Sequence, residues 1–157
     1  MTKSTDIPVI TLGQRPAYIA HDVIATTQDG TTIRLPVLYT YRTRRELGAL
    51  QDSQTARARA EAQAAMDELQ ARQAAVAAAI EAGTDLPPVP EADTQAAIEE
   101  AVVQATADYL MLILQGWVLP TAMTRDALVD LADGEPGVVR AIVGDYRRAI
   151  TEGRRGN

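Results

Sequence analysis

A chain with one histidine and no cysteine has few ways to assemble a reaction centre. His21 stands beside Asp22 in a β-branched stretch, but neighbours on a strand point to opposite faces, so the pair reads as two separate surface residues. Asp126, Asp130 and Asp133 fall on one side of a short helix and could gather a hard cation through carboxylate oxygens; a solvated acidic face accounts for the same pattern. Asp29-Gly30 is a turn signal and lacks the ligand spacing of a calcium loop. No Gly-rich phosphate loop follows a strand, and a Ser/His/Asp arrangement would have a single histidine to draw on. The absence of cysteine excludes disulfides, thiolate metal sites and cysteine nucleophiles. The residues therefore predict a protein that is not an enzyme and uses no cofactor or metal.

Binding is the chemistry that remains, and charge narrows it. The net charge of −6 is unevenly spread: residues 1–60 sum to +3, residues 61–135 to −12, and residues 136–157 to +3. Arg42, Arg44 and Arg45 form a basic cluster that could meet an acidic partner. An acidic total and the lack of interleaved aromatic platforms argue against nucleic acid. The most apolar run, YLMLILQGWVLP at residues 109–120, is broken by Gln115, Gly116 and Pro120, well short of the ~20 residues needed to span a bilayer. The N-terminus lacks the basic start and long apolar core of a secretory signal, so the expected location is the cytoplasm, without membrane contact.

The elements that must present these residues can be read from periodicity. Residues 7–12, IPVITL, suit a short strand started by Pro8. Residues 18–42 are rich in β-branched types around Asp29-Gly30, which predicts a β-hairpin closed by a type I′ turn. On its second arm Ile33, Leu35, Val37, Tyr39 and Tyr41 share one face. At Thr43 the period changes. Thr43 and Glu46 have capping-box spacing, and a run of strong helix formers continues to Gly83. Within it Ala62, Met66, Leu69, Gln73, Val76 and Ile80 alternate four and three apart, a narrow coiled-coil-like seam.

A proline-stiffened turn at residues 84–93 separates this helix from a second helical pattern that carries Ile98, Val102, Ala105, Tyr109, Leu112 and Ile113 and runs to Trp117. The simplest arrangement of the two is an antiparallel helical hairpin. Thr124 is placed to cap a short helix ended by Gly134, and Pro136 opens a last helix with Val139, Ile142, Val143, Tyr146 and Ile150 on one face. The expected fold is α+β: a small N-terminal antiparallel sheet, then a mainly helical region with a long helical hairpin. Its parts are residues 1–52 (hairpin and helix start), 53–107 (Ala-rich helical hairpin) and 108–157 (C-terminal helices), one domain with an inserted hairpin. The tail EGRRGN is expected to fray.

A helix end that is apolar on every side must be buried on every side, by its own chain or by a partner. Tyr109, Leu110, Ile113, Leu114 and Trp117 are accordingly the candidate partner-binding residues, with ordinary core packing as the competing reading of each.

The order of an apolar helix end, LQGW, the capped helix TRDALVDLAD and PGVVRAIVGDYRRAITEGRRGN resembles the C-terminal region of bacteriophage tail assembly chaperones. The hairpin ending LPVLYTYRTRRELGAL resembles their N-terminal part. Together these stretches cover residues 17–52 and 108–157, about half the chain. The resemblance implies a non-enzymatic protein that binds the helical tape measure protein, keeps it soluble during tail tube assembly, and is absent from the mature virion. It further implies contact with the tail tube protein where a frameshift makes an extended form. Helix-in-groove packing suits such a client, and an acidic body favours solubility. The alternative is a structural or adaptor protein, a minor phage component that forms homo-oligomers through its helical hairpin.

Overall fold

The computed structural model describes residues 12–90 and 92–152. The elements run β1 (Tyr18–Thr26), β2 (Thr32–Thr40), α1 (Arg44–Ala82), α2 (Gln95–Ile113), β3 (Leu114–Trp117), α3 (Arg125–Gly134) and α4 (Pro136–Glu152). The α+β class expected from the sequence is the one observed: a three-stranded antiparallel sheet in the order β1-β2-β3 and a helical remainder. The strand expected at residues 7–12 lies, apart from Leu12, outside the described residues, as does nearly all of the C-terminal tail.

The hairpin pairs Thr26 with Thr32, which leaves a five-residue loop instead of the two-residue type I′ turn that Asp29-Gly30 suggests. A type I′ turn needs positive φ at both central residues, and only Gly30 supplies it, at φ +85; no described non-glycine residue has a positive φ. Asp29 takes another task. Its carboxylate accepts hydrogen bonds from the Thr27 hydroxyl and from the Thr31 backbone N–H, so the side chain staples the loop across its mouth. Those bonds hold its pKa below the usual carboxylate value.

Alternation places Val23 and Ala25 of β1 with Leu35, Val37 and Tyr39 of β2 on one face, where all five are buried. Against that face pack α4, through Val138, Ile142 and Tyr146, and the end of α2 through Ala107, Leu110 and Ile113, while α3 packs on those two helices and adds Leu128 to the same core. The N-terminus of α4 sits close to the end of β1: a Cβ at Gly137 would lie 3.1 Å from the Thr26 carbonyl oxygen. Glu135 ties the same corner, accepting the Gln28 backbone N–H at 2.8 Å.

The apolar stretch of residues 109–120 does not continue as helix to Trp117. The helix ends at Ile113 and the chain passes without a loop into β3, which pairs with the free side of β2. A helical period cannot satisfy an open strand edge. Four residues in extended form do so, and a bulge at Gln115 lets Leu114 and Trp117 lie opposite Tyr39 and Val37 on the core side. The strand stops where β2 presents Pro36. That residue's carbonyl accepts the Val118 N–H at 3.0 Å, but its ring nitrogen has no hydrogen to return.

Among the described residues all four helix starts are legible in residue chemistry. The capping box of Thr43 and Glu46 forms in both directions, Thr94 and Thr124 accept the N–H groups of Ala97 and Ala127, and Pro136 occupies the first turn of α4. Gly83, in the left-handed region at φ +67, ends α1. At ~1.5 Å per residue the 39 residues of α1 extend about 58 Å, and only Leu47 near its start is buried.

The two helices of the expected hairpin follow one another, but their seam is not closed against itself. Met66, Leu69 and Ile80 of α1 and Ile98 and Val102 of α2 all remain exposed, each by about half or more. Instead the connection folds back along the end of α1, where Arg72 donates to the Pro88 carbonyl at 3.0 Å.

Candidate partner-binding groove

Two features could carry function: a polar cluster inside the core, and a groove outside it. The cluster centres on Asp145, which is 7% exposed. Its carboxylate accepts from the Tyr39 hydroxyl at 3.1 Å, lies 2.6 Å from His21 Nδ1, and pairs with Arg148 at 3.5 Å. Tyr39 also donates to the Ile142 carbonyl at 3.0 Å. Burial first, and then the negative charge of Asp145, push the Tyr39 hydroxyl well above its ordinary pKa.

His21 is therefore no free surface residue. It lies on the core face of β1, opposite Val37, and bonds to α4, while Asp22 on the outer face meets Arg34. The arrangement contains a His, an Asp and a Tyr, but the Tyr39 ring is 0% exposed. The cluster joins β1, β2 and α4 by satisfying a buried charge.

A second polar knot lies nearby. Arg42 donates to the Tyr146 hydroxyl at 2.7 Å and to the Leu112 carbonyl at 2.8 Å, so it caps the C-terminal end of α2. Burial raises the Tyr146 pKa, and Arg42 opposes that rise. Arg42 is thus engaged inside its own chain, whereas Arg44 and Arg45 are exposed on the first turn of α1. Arg15 pairs with Glu46 at the same place, and that bond, helped by the Thr43 N–H, holds the Glu46 carboxyl at about 2.

The groove is formed where α1, α2 and α4 diverge. It is open to solvent, has a volume of about 1050 Å³, and is apolar along its floor. Val102 and Tyr109 come from α2, Val139 and Val143 from α4, and Gln51 and Gln54 from the near wall of α1. Arg140 and Arg147 rise along one rim, and neither has an ion-pair partner among the described residues. Gly144 lies between them on α4, where a Cβ would meet nothing within 4 Å.

The five residues singled out in the sequence part company here. Leu110, Ile113 and Leu114 are sealed in the core at 0%, 0% and 3% exposure, and Ala107 joins them beneath the sheet. Tyr109 is half-buried and lines the groove. Trp117 is also half-buried, on β3, with its indole N–H donating to the Thr121 carbonyl at 2.7 Å. Beside it Val118 and Leu119 are exposed. The residues that sequence reasoning missed are Arg140, Gly144 and Arg147. A glycine at the centre of an otherwise regular helical pattern was the signal that could have found them.

Asp126, Asp130 and Asp133 stay exposed, and among the described residues no group of three or more potential ligands is placed to hold a metal ion. No described helix is long and apolar enough to cross a membrane.

A small sheet backed by helices, with a part-buried polar cluster and an apolar groove open outside, offers a surface suited to binding. Comparison with protein families agrees with that reading: the family model described as phage tail assembly chaperone matches residues 8–157, and the chain belongs to this family. The match includes the Ala-rich middle, which the residue-level resemblance did not reach. Searches among curated proteins and among solved structures gave no match. Family membership assigns the chain a chaperone role in phage tail assembly.

Proposed function

We propose that this chain binds the tape measure protein of a long-tailed phage and keeps it soluble while the tail tube forms. What supports the reading is apolar helical surface left open on an acidic body: the groove beside Tyr109, and the α1 seam with Met66 and Leu69 exposed. A long helical client buries its apolar face best by helix-in-groove packing, and net charge of one sign keeps a loaded carrier apart from its neighbours. Tyr109 and Trp117 contact the client, and Leu110, Ile113 and Leu114 hold those two aromatics in position from beneath. The protein acts in the host cytoplasm, leaves before the virion matures, and reaches the tail tube protein through an extended form. Arg44 and Arg45 meet acidic partners.

Coexpression tests the reading. A tape measure segment that is insoluble alone should become soluble and co-purify with this chain, and the chain should be missing from purified particles. A tape measure protein that stays insoluble across all its segments, or a chain that persists in virions, would overturn it. A second reading, a structural adaptor that oligomerises through the helical hairpin, is favoured by the open seam of α1. It requires concentration-dependent assembly that Met66→Glu and Leu69→Glu abolish.

A further inference from the structure

We infer that the groove between α1, α2 and α4 is the seat of one amphipathic helix whose flank carries carboxylates two turns apart, held by Arg140 and Arg147. The inference rests on the chaperone reading for the origin of that helix, and on the groove itself for its chemistry.

Dimensions come first. A helix about 10 Å across with a 5.4 Å pitch occupies roughly 400 Å³ per turn, so the groove of about 1050 Å³ takes two to three turns. The floor is apolar: Val102 is exposed, Tyr109 and Val143 are half-buried, and Val139 lies beneath them as part of the core, which suits the ridge of an amphipathic helix. Arg140 and Arg147 stand i, i+7 on α4, two turns apart along one rim, and no carboxylate among the described residues pairs with either. A helix lying along α4 with Glu or Asp at the same spacing would meet both guanidinium groups through charge-assisted bonds.

The glycine supplies a separate observation. Apart from proline, glycine is the weakest helix former, yet Gly144 sits in the middle of the 17-residue α4, with ordinary backbone and no close neighbour. No described residue lies close enough to require a residue without a side chain there. Any larger residue would project into the groove, so the local rule is broken at the point where an incoming helix needs space.

Gly144 also makes the test clean. Gly144→Leu should leave the melting temperature unchanged or higher, since leucine favours helix and its Cβ meets nothing, while filling the groove. The probes are fluorescent amphipathic peptides with a leucine ridge and either glutamates or lysines at i, i+7, followed by anisotropy. The acidic peptide should bind the native chain and lose affinity about tenfold or more in Gly144→Leu. The double variant Arg140→Glu/Arg147→Glu should weaken the acidic peptide by about tenfold or more, as charge reversal at an interface does, and should favour the lysine peptide instead. No binding of the acidic peptide, or equal binding by all three proteins, overturns the inference. So does self-association of the native chain that Gly144→Leu abolishes, which would make a second copy the occupant. If both variants still solubilise a tape measure segment as the native chain does, the groove assignment falls and the chaperone reading stands. If the native chain solubilises none, the chaperone reading falls, and peptide binding alone decides the groove.

Discussion

The helices α1 and α4 share a backbone geometry and almost nothing else. In α4 six of 17 residues are buried, and the helix lies on the sheet with Val138, Ile142 and Tyr146 inside. In α1 one of 39 residues is buried, and beyond the second turn the helix meets mainly solvent and its own connecting loop. Tertiary packing maintains α4. Local propensity maintains most of α1, because alanine loses no side-chain entropy in a helix and i, i+4 pairs such as Arg57–Glu61 and Gln63–Asp67 add a little each. The lesson is that two kinds of stability coexist in one chain: a cooperative body, and an arm whose order need not depend on the body.

Substitutions can break or sharpen that contrast. The largest effect is expected where the body is densest: Leu110→Ala should cost about 2–5 kcal/mol in denaturant unfolding, because Leu110 is fully buried. Met66→Ala, on the arm, should stay within about 0.5 kcal/mol. Equal losses at both sites would make the arm part of the cooperative unit.

Tyr39→Phe should come next, at about 1.5–3 kcal/mol, since it removes a hydrogen bond to a buried carboxylate. Its signature is loss of stability in β1, β2 and α4 together by hydrogen exchange. Ala71→Pro should disrupt α1 around the substitution and lower ellipticity, while the unfolding midpoint of the body barely moves. A matching drop in that midpoint would mean that the arm supports the core.

The smallest effect concerns the junction of arm and body. Glu46 has its pKa lowered to about 2, against about 4.3 for a free glutamate. Its folded-state value lies below its unfolded one, so its contribution is present above about pH 4.3 and fades as pH falls toward 2. Glu46→Gln should flatten that part of the acid stability curve and nothing above it. A curve that keeps its slope there would assign the acid sensitivity to other carboxylates.

Much of the architecture was legible in the sequence because its signals are local. Thr43 with Glu46, Thr124 and Gly83 declare helix ends through bonds to residues within four positions, Pro136 declares one through its fixed φ and missing N–H, and the alternation of Leu35, Val37 and Tyr39 declares a core face. What was not legible depends on distance. His21 and Asp145 are separated by 124 residues, and only the packing of α4 on the sheet brings them together. LQGW reads as a helix end until an unpaired edge of β2 is available to claim it. The candidate site divides in the same way: Tyr109 was visible as an aromatic on an apolar stripe, but its neighbours Val139, Val143 and Arg147 join it only once three helices have found their places.

The direct passage from α2 into β3 ties one wall of the groove to the sheet. With no loop between Ile113 and Leu114, and with Arg42 gripping the Leu112 carbonyl, the base of α2 is a fulcrum. A swing at that base would have to shear the pairing of Leu114 and Trp117 with β2. The far end, around Ile98, has no such anchor and is exposed. The helix is therefore a lever clamped at one end: the wall of the groove beside Tyr109 is held to the sheet, and the end near Ile98 has no strand pairing of that kind.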